Sequence, residues 1–390
     1  MSRSIQDLFN ESVHLVNQDK FDEAIANLNV ITKLHPLVVD AYLQRGRAHW
    51  EMRRWGEALK NFETALKMDE ESPSALWTMG LMNLQLGNFE AGWCGYEHRW
   101  NSHEFKSPRL KTALPRWEPS KGYENPLVWC EQGIGDQILY GSLLNALSKQ
   151  VKKLTVMLDI RLVNLFKRAM PHIEFLRHDS RPNNAQFDSQ IPIGSIGQFF
   201  VKHFDDIAMH RSTHFLRADP EYAAKIAAKI HPADFVVGLS WGSTAPRVGQ
   251  HKSIDLMELL PLFDMPNTKF VSLQYGPPKE QIAGFWKKTG KIVHETYINT
   301  FFDLEGIAAT VQCCDVVVSV SNANVHIAGG MGKPVLMLDA NKLWYWNGKI
   351  GNRSLWYPSV RLFNRENMVA PWTNQVLEIT QALKEIRDDR

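Results

Sequence analysis

The chain has 390 residues, 44% hydrophobic and 22% charged, a composition that fits two or three folded domains and excludes a disordered or fibrous protein. Lys and Arg number 44 against 42 Asp and Glu, so a net charge of +2 supplies no global attraction to nucleic acid. The four cysteines, Cys94, Cys130, Cys313 and Cys314, lack C-x-x-C spacing, which speaks against a zinc site or a disulfide framework. The opening MSRSIQDLFNES has no apolar signal core, and no apolar run approaches the ~18 residues of a membrane span. A cytoplasmic setting without a transmembrane segment is the expectation.

The first hundred residues carry an internal period. Ala24 in FDEAIANLN and Ala58 in WGEALKNFETAL lie 34 residues apart, as do Gly46 and Gly80, and Phe62 and Tyr96. The second unit is the fullest, with Gly46, Ala58, Phe62 and Ala65; the third has Gly92 where alanine is expected. The first keeps Ala24 and a closing Pro36. Small residues let the two helices of a hairpin approach, and the aromatic fills the gap one turn later. This register resembles the tetratricopeptide repeat and predicts about three helical hairpins over residues 1–104, which either form an ordinary helical cap with no partner or hold a protein acceptor or partner subunit on their concave face. Residues 105–126 form a connector in which Pro108, Pro115, Pro119 and Pro126 interrupt any helix, with Trp117 and Gly122 between them.

From Leu127 the pattern alternates. LVWC (127–130) reads as a buried strand, EQGIGD (131–136) as a glycine-containing turn, and residues 137–150 as a helix. LTVMLD (154–159), a helix over 161–170 and FDSQIPI (187–193) continue the series, predicting a parallel sheet with crossover helices for a lobe at 127–230. Gly133 and Gly135 permit a tight turn and close ligand approach at a helix N-terminus. Three readings stand at this turn. One is a dinucleotide fingerprint with Asp159 on the ribose, although Ile138 occupies the place of the third glycine. A second is a general base at Asp136, beyond the carboxyl ends of the strands. In the third, Asp136 only caps the helix.

A second lobe is expected over 231–390. DFVVGLSWGS (234–243), TKFVSLQYG (268–276) and, more weakly, GKIVHETY (290–297) are its first strands. Residues 301–339 read as helix, strand (DVVVSV, 315–320), loop, short helix and a strand entered through Pro334. In that loop Ser321, Asn322, Ala323, Asn324 and Val325 precede His326, and Ala328, Gly329, Gly330 and Gly332 follow. Free amides at a helix start seat a phosphate, and small residues remove side chains that block approach. His326 then either donates to a diphosphate or sugar or is a structural residue. Lys252 and Arg247 either neutralise phosphate or are solvated. Trp344, Tyr345, Trp346, Trp356 and Tyr357 either face a base or sugar or pack the lobes together. A closing helix is expected at about 373–387.

The ordered set of motifs carries a family resemblance: G-W-x-x-Y-E-x-R-W (92–100), E-Q-G-I-G-D, S-W-G-S, S-L-Q (272–274), H-I-A-G-G-M-G-K-P and W-Y-P-S (356–359). The chain resembles bacterial tetratricopeptide-repeat glycosyltransferases whose catalytic part is related to the heptosyltransferases. It is also distantly similar to the protein O-linked N-acetylglucosamine transferases. The resemblance implies an α + α/β protein, in which helical repeats precede a GT-B fold of two Rossmann-like lobes, acceptor on the first and nucleotide sugar on the second. It implies Asp136 and His326 as catalytic residues. Around the nucleotide sugar it places Gly133, Gly135, Ser240, Trp241, Gly242, Lys252, Gln274, Ser321, Asn322, Ala323, Asn324, Val325 and Gly329. No metal is expected, and no cofactor beyond a nucleotide-sugar co-substrate such as a UDP-sugar. Where the family usually has Asp-Thr, this chain has Ser321-Asn322. The expected function is sugar transfer to a hydroxyl, on a protein side chain presented by the repeats. Two rivals follow from the residues: a catalytically inactive scaffold, from the Ser321 departure, and a dinucleotide oxidoreductase, from Gly133-x-Gly135 and Asp159.

Overall fold

The computed structural model describes residues 4–230, 235–244, 249–276, 278–296, 298–340, 343–346, 352–367 and 370–389. Arg247 lies outside the described residues, as does the tract between Trp346 and Asn352. The chain forms two compact units, Met1–Lys106 with Glu366–Ala370, and Ser107–Arg365 with Pro371–Arg390.

The first unit is helical: α1 (Ile5–Asn17), α2 (Phe21–Leu34), α3 (Val39–Glu51), α4 (Trp55–Met68), α5 (Pro73–Leu86) and α6 (Phe89–Glu97). They pack in consecutive pairs because the repeat alanines are buried without remainder: Ala24, Ala58 and Ala65 are all 0% exposed. Gly46 sits against Phe62, where a Cβ would stand 2.5 Å from the ring. Gly92 faces Leu84 in the same way, which is why glycine replaces the expected alanine there. Pro73 opens α5 at a position whose N–H is unsatisfied anyway, and Gly87 ends it with φ of 86°, a left-handed angle that glycine adopts without a steric cost.

The Pro-rich connector does more than link. Trp117 N–H donates to the Gln190 carbonyl (2.8 Å) and Gln190 N–H to that of Pro115 (2.9 Å), so residues 115–117 lie along a sheet edge. The Trp117 ring is buried edge-on against Phe199.

The second unit holds two parallel sheets. The first has the order β3-β2-β1-β4, from β1 (Pro126–Trp129), β2 (Thr155–Leu158), β3 (Glu174–Arg177) and β4 (Ser189–Pro192). Its helices are α7 (Ile134–Gly141), α8 (Leu144–Ser148), α9 (Ile160–Ala169), α10 (Gly197–Phe200) and α11 (Phe204–His210), and α12 (Pro220–Ile230) leads onward. The second has the order β10-β9-β8-β5-β6-β7, from β5 (Phe235–Ser240), β6 (Thr268–Ser272), β7 (Val293–His294), β8 (Val316–Val320), β9 (Val335–Asp339) and β10 (Val360–Asn364). Around it stand α13 (Gly249–Lys252), α14 (Lys279–Thr289), α15 (Leu304–Cys313), α16 (Ala323–Gly330) and the closing α17 (Thr373–Asp388). Strands β1, β2, β5, β8 and β9 are buried along their whole length, the mark of parallel strands covered on both faces.

Two expectations change. The helix expected over 137–150 is two helices, α7 and α8, broken at Ser142-Leu143. It also begins earlier, so that Ile134, Gly135 and Asp136 are its first turn and not a loop. The cause is local: the Asp136 carboxylate reaches back to the N–H of Gly133, closing the turn as an N-terminal cap does.

Candidate functional site

In an open parallel sheet the loops diverge where strand order reverses, and the crevice beyond the carboxyl ends at that point receives ligands. Here the reversals lie between β1 and β4 in the first sheet and between β8 and β5 in the second. Helix α7 leaves β1 at the first, and α16 leaves β8 at the second. These two helices meet. A Cβ on Gly135 would stand 3.0 Å from Cδ2 and 3.1 Å from Nε2 of His326. Gly135 therefore makes room for the imidazole of the other lobe, where the sequence had suggested room for a ligand.

Asp136 is partly exposed, and its Oδ2 accepts the Gly133 N–H at 3.2 Å. Burial of the carboxyl raises its pKa above the ordinary value, against the opposing pull of that hydrogen bond and of the Lys252 charge. The carboxylate that closes the first turn of α7 is thus the same one whose pKa burial raises. Gln137, next along, accepts the Asp159 N–H through Oε1 (3.0 Å) and ties α7 to the end of β2.

Asp159 has a different fate from the ribose contact of the dinucleotide reading. It caps α9 by accepting the Arg161 N–H (3.0 Å), and both carboxylate oxygens take the Arg161 guanidinium, at 2.8 and 2.9 Å. Burial acts to raise its pKa, but Arg161 outweighs burial and holds the carboxyl below the ordinary range. Both oxygens are committed to the fold.

His326 is 5% exposed, with Nδ1 at 2.9 Å from the Tyr357 hydroxyl. The rings of Trp346, Tyr357 and Tyr345 surround it at centroid distances of 4.8, 5.6 and 5.9 Å. Burial, reinforced by the charge of Lys252, lowers its pKa to about 3, so the ring is neutral throughout the ordinary pH range. Lys252 thus acts electrostatically on both Asp136 and His326, from the end of α13.

The strand-end residues form a closed polar knot. Gln274 Oε1 accepts the N–H groups of Trp241 (2.9 Å) and Gly242 (2.7 Å). Ser240 Oγ donates to the same oxygen at 3.4 Å and accepts from Nδ2 of Asn322 (2.9 Å) and of Asn324 (3.1 Å). Asn322 also caps α16, its Oδ1 taking the Asn324 N–H at 3.0 Å. Val325 N–H goes to the Asn322 carbonyl. Two of the amides expected to seat a phosphate are therefore already bonded within the turn. Ser321 Oγ accepts the indole N–H of Trp346 at 3.0 Å. Val325 is 0% exposed, and Gly329 packs against the Tyr357 ring, so both serve the core of the site and not its lining. Trp344, Trp346, Trp356 and Tyr357 are buried as packing between elements, leaving Tyr345 as the half-exposed member of the aromatic group.

A cavity of about 520 Å³ opens beside the knot, beyond β6 and β7, walled by Gln274, Lys279, Glu295, Thr296, Asn299 and Thr300. Sequence reasoning named only Gln274 among these. The short Asn299-Thr300 turn gave no signal: Asn299 caps it through Oδ1, and Thr300 Oγ donates to the Gln274 carbonyl (3.0 Å), a contact without local periodicity. Among the described residues no three His, Cys, Asp or Glu side chains converge on a point that would hold a metal, and no helix is long and apolar enough to cross a membrane.

Comparison with known proteins gives the same two parts. Residues 43–92 match the tetratricopeptide repeat model. Protein FlbA of Caulobacter vibrioides is 28% identical over 393 residues, covering 94% of this chain, and the chain spans 63% of that relative's length. Among solved structures, the glycosyl transferase family 9 protein of Veillonella parvula superposes with a TM-score of 0.51 and 13% identity, over 69% of this chain and 98% of that one. The ADP-heptose lipopolysaccharide heptosyltransferase II of E. coli gives a TM-score of 0.46 and 12% identity, over 67% and 99%. The Veillonella likeness shows the fold. Following the helical repeats in the sequence are two Rossmann-like lobes in the GT-B arrangement.

Proposed function

We propose that the chain is a glycosyltransferase that moves a sugar from a nucleotide-sugar donor, such as a UDP-sugar, to a hydroxyl on a protein side chain presented by the repeats. One observation supports the reading: the helices that leave the two topological switch points meet where Gly135 of α7, next to the raised-pKa carboxyl of Asp136, lies against His326 of α16. The lobe at 127–230 receives the acceptor and that at 231–390 the donor. The nucleoside occupies the cavity beside Gln274, and the diphosphate lies between the N-terminus of α16 and Lys252. In the step itself, Asp136 takes the proton of the acceptor hydroxyl as its oxygen bonds to the anomeric carbon. The bond from that carbon to the diphosphate oxygen breaks, and the electron pair leaves with the nucleoside diphosphate. The helix dipole and Lys252 supply the positive field at the departing oxygen, the task a divalent cation performs in other transferases.

The test is a thermal-shift panel of UDP-, GDP-, ADP-, CMP- and dTDP-sugars together with NAD. One nucleotide sugar is expected to stabilise the protein and to be turned over. The Asp136→Asn variant, which keeps an acceptor for the Gly133 N–H, is expected to lose about 10²–10⁴-fold in rate. The acid limb of the wild-type rate profile is expected above the ordinary carboxyl range, in the direction burial moves Asp136. A shift with NAD alone sinks the transferase reading. A second reading has its own support, because Ser321, Asn322 and Asn324 spend their polar atoms on Trp346, Ser240 and each other. Binding without turnover favours that reading, a catalytically inactive scaffold that binds a protein partner.

A further inference from the structure

Tyr357 is 1% exposed and tightly seated. It lies against Phe215 with ring planes 24° apart, and a Cβ on Gly329 would come within 2.7 Å of its ring. Its hydroxyl has a single hydrogen-bond partner among the described residues, Nδ1 of His326 at 2.9 Å. Either atom of that pair can carry the proton, and the two arrangements differ in what they leave unsatisfied. If Nδ1–H donates, the phenol proton is buried without an acceptor, at a cost of roughly 1–3 kcal/mol. If the phenol donates to a bare Nδ1, the phenol and Nδ1 are both satisfied, and the ring carries its proton on Nε2, which has no hydrogen-bond partner among the described residues but is not closed off from solvent. The Cδ2–Nε2 edge of the ring is the edge that faces Gly135 in the first turn of α7, the turn that holds Asp136.

We infer that Tyr357 is a positioning residue: its hydroxyl fixes His326 as the Nε2–H tautomer, with the Cδ2–Nε2 edge of the ring held beside Gly135 at the junction of the two lobes. His326 is then a neutral hydrogen-bond donor toward an oxygen of the substrate, and neither a proton donor nor a cation. The depressed pKa agrees, since an imidazole with a pKa of about 3 does not charge at neutral pH. What the donor acts on rests on the transferase reading; the tautomer does not.

Both can be read in the full-length protein labelled with ¹⁵N-histidine. Two-bond ¹⁵N–¹H spectra report which ring nitrogen carries the proton, and the His326→Gln variant assigns the signal. The wild type is expected to show a bare Nδ1 and a protonated Nε2. Tyr357→Phe keeps the ring that packs on Phe215 and removes only the hydroxyl, and it is expected to give a mixed or reversed tautomer. With the preferred nucleotide sugar, kcat for Tyr357→Phe is expected to fall about tenfold, the weight of one neutral hydrogen bond. Protonated Nδ1 in the wild type, or an unchanged spectrum in Tyr357→Phe, overturns the inference. The expected spectra in a protein that turns over no nucleotide sugar sink the transferase reading and leave the tautomer assignment standing.

Discussion

At the scale of single residues, the site is decided by what is absent as much as by what is present. Gly135 lacks a side chain in the one place where His326 needs the space. The Gly135→Ala substitution suits an α-helix better than glycine by roughly 1 kcal/mol, so local propensity alone argues for stabilisation. The new methyl, however, meets Cδ2 and Nε2 of a buried ring at 3.0 and 3.1 Å, and crowding of this kind costs about 1–3 kcal/mol. The expected outcome is a lower urea midpoint and a weaker response to the nucleotide sugar, because the ring that must move is His326. A stability equal to or above wild type, with donor binding intact, would show that the ring steps aside freely. Gly135 was legible in the sequence as a residue needing close approach. Its partner was not, since nothing in a local pattern says which distant side chain fills the space.

At the scale of elements, the repeats illustrate the same contest with a different winner in view. The 34-residue register marked Gly80 as equivalent to Gly46, but the two glycines are kept for different reasons. Gly46 accommodates the flat face of Phe62, whereas Gly80 touches backbone: a Cβ there would lie 2.5 Å from Gly95 C and Tyr96 N. A side chain can rotate away from a methyl group, and a helix backbone cannot. Gly80→Ala is therefore expected to destabilise the protein by about 1–3 kcal/mol despite its gain in helix propensity, measured by urea denaturation. The first sheet shows the limits of periodicity. Strand β3 and helices α10 to α12 went unread because they are short or half-exposed, whereas the buried strands β1, β2, β5, β8 and β9 stood out as continuous apolar runs. Between sheets, α9 and α15 are joined by the paired hydrogen bonds of Arg168 to Glu305, both at 3.0 Å, a contact between elements that no motif marked.

At the scale of the whole molecule, the buried ionisable groups set how stability depends on pH. His326 has an ordinary value of 6.5 and a folded value of about 3. Between those values the unfolded chain binds the proton and the folded chain does not, so stability falls as pH drops through about 6.5 and continues to fall toward 3. His49 and His294, also lowered by burial, act in the same direction. Asp136 opposes them, because its raised pKa means that acidification relieves a penalty present at neutral pH. Asp159 adds stability above the ordinary carboxyl value and loses it only at lower pH, as its depressed pKa is crossed. The net expectation is a urea midpoint that declines from pH 7 to pH 5, with a shallower slope in His326→Gln. An unchanged slope in that variant would place the imidazole in contact with water.

The sequence by itself determined the helical repeats and the two strand–helix series, because helical and strand periodicity are local records of which face is buried. It offered Asp136 as a helix cap only as one of three readings of the turn, and the structure decided for a first helical turn closed from Gly133 to Asp136. The tertiary structure alone decided the strand orders that bring α7 and α16 together, the commitment of Asp159 to Arg161, and the filling of Gly135 by His326. It also decided which nitrogen of that histidine meets a hydroxyl from Tyr357. These depend on contacts between segments remote in the chain, and a remote contact leaves no period behind.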